Sequence, residues 1–331
     1  MAKTSKAAPR RKVRDAAEST DEFDDSDALD DSDTEKKQKK RKRASTGSEK
    51  KARSPRKKKK VADSDDELDD GVEIVGAVVQ APKTGRVPPG QVSPNTFDFL
   101  TQLRDPKCND REWFKLHDPV YRQAEQEWKD FIEAFTDLLV EIDDQIPPLP
   151  PKDVIHRIYR DTRFSNDKTP YKTNFSASFS RSGRKGIYAF YHVMIRPGNQ
   201  SMIAAGAWCP GKNELELLRS NIKRDPSRLR DIINGAAFVK HFGKAEPGAR
   251  RNIFGREDEL KVAPKGVAKT HPDIDLLKCR SFAVSHQFTD AQVLDPDFKS
   301  TAIAVARISV PFVHCLNELM TIPPDEDEDN E

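Results

Sequence analysis

The chain has 331 residues, with 57 Lys and Arg against 55 Asp and Glu, and its formal net charge of +2 hides segregated blocks rather than an even mixture. No apolar run reaches the roughly 18 residues that span a bilayer, and the basic N-terminus lacks the apolar stretch of a secretory leader, so neither a membrane protein nor a secreted one is expected. The four cysteines, Cys108, Cys209, Cys279 and Cys315, lie far apart with no C-x-x-C pair. This points to free thiols in a reducing compartment, and to neither a metal framework nor any other cofactor.

Residues 1–90 contain one aromatic, Phe23, among Lys, Arg, Asp, Glu, Ser and Ala. Such a segment cannot bury enough apolar surface to offset the entropy of ordering, so a disordered charged tail is expected. It carries two basic runs. The first holds Lys36, Lys37, Lys39, Lys40, Arg41, Lys42 and Arg43, and the second holds Arg56, Lys57, Lys58, Lys59 and Lys60. Runs of this length read as nuclear import signals, so the expected address is the nucleus and an expected partner is an import receptor. The same lysines would touch phosphate backbones weakly and without sequence preference, because acidic blocks at 21–35 and 63–70 compete for them. Ser54, followed by Pro55-Arg56-Lys57, resembles a proline-directed kinase target, and Ser64, followed by Asp65-Asp66-Glu67, resembles an acidophilic one. Val72, Ile74 and Val75 form a V-x-I-V core behind an acidic flank. That pattern resembles a SUMO-interacting motif, which adds an extended strand to a sheet edge of its partner. The competing reading pairs residues 72–79 with the protein's own domain. Prolines and glycines then mark a linker.

Residues 91–322 regain periodic apolar positions and are expected to form one α+β domain, and 323–331 an acidic disordered tail. Ser93-Pro94 reads as a helix start. A further helical turn is expected at 109–114, and a long helix from Asp118-Pro119 to about Ile142 with an apolar stripe through Trp128, Phe131, Phe135 and Leu139. Strands are expected at 154–160, 174–180, 187–196 and 201–209, joined by short Gly-containing turns and therefore antiparallel. Helices are expected at 211–223 and 225–234, a strand at 281–288, and a final helix from Asp295-Pro296 to about Met320, kinked or broken at Pro311. Strands grouped together, with helices before and after, favour an antiparallel sheet packed against N- and C-terminal helices.

The chemistry concentrates in residues 155–175. Arg157, Arg160, Arg163, Lys168, Tyr171 and Lys172 lie in or beside one short segment stiffened by Pro170, a pattern suited to forking onto a phosphate or carboxylate. The bland alternative is an internal ion-pair network with Asp161 and Asp167. Asp161 and His192 are the candidate acid–base groups should the site be catalytic. No phosphate-binding glycine loop, dinucleotide fingerprint, H-E-x-x-H or G-x-S-x-G pattern occurs. The leading expectation is a non-enzymatic nuclear domain that binds an anion. The alternative is an enzyme acting on a phosphorylated or carboxylated small molecule.

The run R-I-Y-R-D-T-R-F-S-N-D-K-T-P-Y-K-T at 157–173 resembles the signature of a conserved hypothetical family, a domain of unknown function found in bacteria and fungi. N-D-R-E-W-F at 109–114, Y-H-V-M-I-R-P-G at 191–198 and A-A-G-A-W-C-P at 204–210 are similar to the same family. Asn109-Asp110 stands where that pattern leads one to expect Asn-Asn. The resemblance covers most of residues 93–320 and implies no particular reaction.

Overall fold

The computed structural model describes residues 76–244 and 259–321. The import runs, Ser54, Ser64, the V-x-I-V core and the acidic C-terminal tail lie outside them.

The described chain opens with helix α1 (Pro94–Gln102), α2 (Arg111–Leu116), α3 (Asp118–Ile142) and the single turn α4 (Pro151–Val154). Three strands follow, β1 (Phe175–Phe179), β2 (Phe190–Ile195) and β3 (Ser201–Ala207). Next come α5 (Lys212–Arg224), α6 (Ser227–Asn234), α7 (Ala236–Phe242) and α8 (Ile274–Leu277), then β4 (Phe282–Phe288), α9 (Asp290–Val293) and α10 (Phe298–Thr321). The sheet order is β1-β2-β3-β4 with every neighbour antiparallel. The fold is therefore α+β, as the grouping of strands implies.

Local chemistry accounts for the element starts. Ser93 Oγ accepts the Thr96 amide and Pro94 occupies the first turn of α1. Asp110 accepts the amides of Glu112 and Trp113 at 2.7 and 2.9 Å, closing the N-terminus of α2. At α3 the expected Asp118 cap is displaced by one residue. His117 holds the cap position and makes no side-chain cap bond, because its ring is stacked on Trp113 at 3.7 Å with Nδ1 on the Trp113 carbonyl.

The strand expected at 154–160 is absent as a strand. Residues 151–154 turn helically instead, Ile155 makes one bridge to Ala177 of β1, and Tyr159 makes another to Tyr171. Buried Ile158 lies between the two bridges, so the segment changes partner before a ladder forms. The second bridge runs from Arg160 N to the Pro170 carbonyl and from Lys172 N to the Ile158 carbonyl. It closes residues 160–170 into a loop.

One face of the sheet carries Phe175, Phe179, Tyr191, Val193, Ile203, Val284 and Phe288 and belongs to the main core. Trp128 stacks on Phe175 and Phe135 packs on Phe179, which seats α3 there, while Phe298 meets Phe288 edge-on and seats α10. α10 is long and apolar enough to cross a bilayer by length and composition; here its apolar residues are buried against β3, α3 and α5. It runs through Pro311 as one helix, without the expected break. The carbonyl that loses its amide partner belongs to Arg307, and both Arg307 and Pro311 are exposed, so solvent serves that carbonyl. Gly206 in β3 is required by close approach, since a Cβ there would lie 2.2 Å from the Phe282 carbonyl oxygen.

Candidate anion site on the polar sheet face

The opposite sheet face is built by the period-two alternation of β1 and β2. Ser176 and Ser178 point away from Phe175, Ala177 and Phe179, and the register sets Ser178 against His192 and Ser176 against Met194. Next to them on β3 lie Met202 and Ala204. All six are buried, yet Met194, Met202 and Ala204 do not join the helix-packed core.

Ser178 Oγ lies 2.8 Å from His192 Nδ1 and 2.8 Å from His156 Nε2. One hydroxyl proton serves one ring nitrogen, so the other ring must donate to the oxygen. His156 reaches this position because the Ile155–Ala177 bridge lays the segment along β1, with His156 N donating to the Ser176 carbonyl at 3.0 Å. Burial, then His156 and then Lys172, push the His192 imidazole well below its ordinary value of 6.5, so it is neutral near pH 7. Arg196 follows β2 and, by alternation, shares the face. His156, Lys172 and Arg196 are half-buried.

The other sequence candidates fall in the loop above this face. Arg160 donates to Asp167 at 2.5 Å, to the Thr169 hydroxyl at 2.7 Å and to the Thr169 carbonyl at 3.2 Å, and its side chain is 9% exposed. Arg163 grips Asp161 through Nε and Nη2 at 3.0 and 2.6 Å. That contact holds the Asp161 carboxyl down at about 2, so Asp161 has no proton to give near neutral pH. Arg157 adds to the same effect. Lys168 donates to the Thr162 carbonyl at 2.9 Å. These contacts follow the ion-pair reading of the loop, in which its cations organise the backbone.

Tyr171 anchors the loop to the helices. It stacks on Phe114 at 3.9 Å, and burial, then Tyr159, raise its phenol above the ordinary value. Asn109 clasps it by accepting the Tyr171 amide at 3.1 Å and donating to the Tyr171 and Leu103 carbonyls. Phe164 stands at the loop tip, 92% exposed beneath the Arg163 guanidinium.

Ser178, His156 and Asn109 escaped the sequence reading. The alternation Phe175-Ser176-Ala177-Ser178-Phe179 was a usable signal, since serines on one strand face opposite phenylalanines mark a polar floor. The partnership of His156 depends on a single bridge and had no sequence signal.

Asp143, Asp144 and His314 place ligand-type atoms within 4.8 Å of one another. Both oxygens of Asp143 are already engaged, one by the Tyr191 hydroxyl at 2.6 Å and one by His314 Nε2 at 2.8 Å. Asp143, Tyr191 and His314 thus tie the end of α3 to β2 and α10, and the exposed Asp144 carboxylate lies beside them.

A family model described as "Conserved hypothetical protein (DUF2461)" matches residues 95–315. No curated protein and no solved structure matches the chain.

Proposed function

The chain belongs to the conserved hypothetical protein family DUF2461, a description that carries no activity, and we propose its function from the site alone: a nuclear, non-enzymatic domain that binds an anionic group on the polar face of its sheet. The observation that supports this most is the hydrogen-bonded row His156–Ser178–His192. The imidazole that accepts the Ser178 proton keeps a hydrogen on its other nitrogen, and this N–H and the Lys172 ammonium are donors of the kind that hold a phosphate or carboxylate. Arg160 and Arg163 contribute by shaping the loop around Asp167 and Asp161. The tail's basic runs would deliver the domain to the nucleus, and the V-x-I-V segment would offer a strand to SUMO.

Titration of the full chain with inorganic pyrophosphate, followed by calorimetry, tests the reading. Saturable binding that weakens about tenfold in Lys172→Ala, with unfolding unchanged, is the expected result. Equal binding by both chains, or none by either, removes the site from consideration.

One observation favours a second reading. Ser178 Oγ sits 2.8 Å from a ring nitrogen of neutral His192, which is the spacing of a hydroxyl and its general base. Release of inorganic phosphate from a phosphomonoester, abolished by Ser178→Ala, would make the domain an enzyme. Asp161 plays no part in that version, because Arg163 keeps it ionised.

A further inference from the structure

Two histidines meet where α7 ends against β4. His241 lies in the last turn of α7 and His286 on β4, 45 residues apart in sequence, so no local spacing announces the pair. Their ring centroids are 5.6 Å apart and their planes cross at 55°. The register sets His286 opposite Ile203, on the helix-packed side of the sheet, so the pair shares no residue with the polar face. Both side chains are half-buried, which leaves each partly open to solvent.

The proton on the His286 ring follows from its partner. Nδ1 lies 3.2 Å from the His241 carbonyl oxygen. That carbonyl stands in the last turn of α7, among those a helix leaves without an amide of its own. A carbonyl oxygen only accepts, so Nδ1 carries the hydrogen and Nε2 of the neutral ring keeps its lone pair. Phe288 meets the same ring edge-on at 5.0 Å and restrains its tilt. An imidazole that gives one N–H to a backbone carbonyl and presents its other nitrogen bare is arranged as metal-ligating histidines are. Among the described residues, no hydrogen bond engages the His241 ring or His286 Nε2. Asp143 and His314, by contrast, are already committed to each other.

The spacing agrees with a shared ion. Imidazole nitrogens hold zinc at about 2.0–2.1 Å, which sets the centroids of two rings on one tetrahedral ion about 5.2 Å apart. The observed pair sits within roughly half an ångström of that spacing. Imidazole suits zinc, copper and nickel, whereas magnesium and calcium prefer oxygen ligands.

We propose that His241 and His286 form a two-histidine site for a divalent transition-metal ion of the zinc, copper and nickel class, with water completing its coordination. The ion clips the end of α7 to β4, and its water positions remain exchangeable.

Two measurements on the full chain test the site. Titration with Zn²⁺, followed by calorimetry, is expected to show a saturable event of one ion per chain, weakened at least about tenfold in His241→Gln and to the same degree in His286→Gln. The double variant is expected to lose no more than either single one, because removing one ring already breaks the chelate. Absence of the event, a loss in only one variant or in neither, or two losses that add, overturns the proposal. A tenfold loss in His314→Gln instead assigns the ion to the Asp143 cluster and overturns it as well.

The second measurement needs no substitution and decides the matter if either variant fails to fold. Diethylpyrocarbonate modifies accessible imidazole nitrogens, and the modified peptides are read by mass spectrometry with and without Zn²⁺. At a free Zn²⁺ concentration about ten times the Kd, His241 and His286 are expected to be protected together by about tenfold, with His117 and His271 unchanged. Protection of neither member of the pair, of one alone, or of all four histidines equally overturns the proposal.

Discussion

Asn109 is a small residue with a large share of the local architecture. It is 4% exposed, and its amide joins the end of α1, through the Leu103 carbonyl, to both backbone groups of Tyr171. Asn109→Ala would leave those groups buried without partners. A loss of about 2–3 kcal/mol of stability by urea denaturation is expected. His192 governs a different property. Its folded-state value lies below the 6.5 of the unfolded chain, so the unfolded state binds more protons as the pH drops. Stability is whole above pH 6.5 and falls below it, by about 1.4 kcal/mol per pH unit until the folded imidazole also titrates. His192→Asn should flatten most of that slope in melts between pH 5 and 7. His241, lowered by burial, His286 and Lys240, leaves a smaller remnant.

At the scale of elements, α10 is a helix with a tolerated fault. Pro311 sits on its solvent side, and the unpartnered Arg307 carbonyl faces water, so Pro311→Ala restores a bond without repacking the core. A gain of about 1–2 kcal/mol in urea denaturation is expected. The helices were legible in the sequence because caps and 3.6-residue stripes are local signals: Ser93, Asp110 and the Trp128–Leu139 stripe each speak for their own turn. The segment at 154–160 misled because its alternation is real while its pairing is divided between Ala177 and Tyr171, which no local pattern encodes. The site divided in the same way. The cationic run stood out by composition, but the pairing of Arg160 with Asp167 and of Arg163 with Asp161 depends on how the loop closes, which no local pattern encodes.

At the scale of the whole molecule, the chain joins a domain with a polar sheet face to a tail of alternating charge blocks. Deleting residues 36–60 should abolish nuclear accumulation of a fluorescent fusion while leaving the melting temperature of the domain unchanged. Retained nuclear signal would remove the import assignment. The sheet itself has a consequence for how the protein is made. Its first three strands are joined by the loop 180–189 and the turn 196–200 and form a meander from neighbouring residues, whereas β4 and α10 arrive only after the excursion through α5 to α8. On the ribosome, the meander can therefore assemble early, with Ile203 and Val193 uncovered until the last helix emerges. During that interval the nascent chain shows an apolar sheet and an unfilled strand edge, which are the features chaperones hold. Any allele that stops before residue 298 would leave the protein in that state permanently, so such truncations should be cleared as aggregates rather than persist as partly active domains.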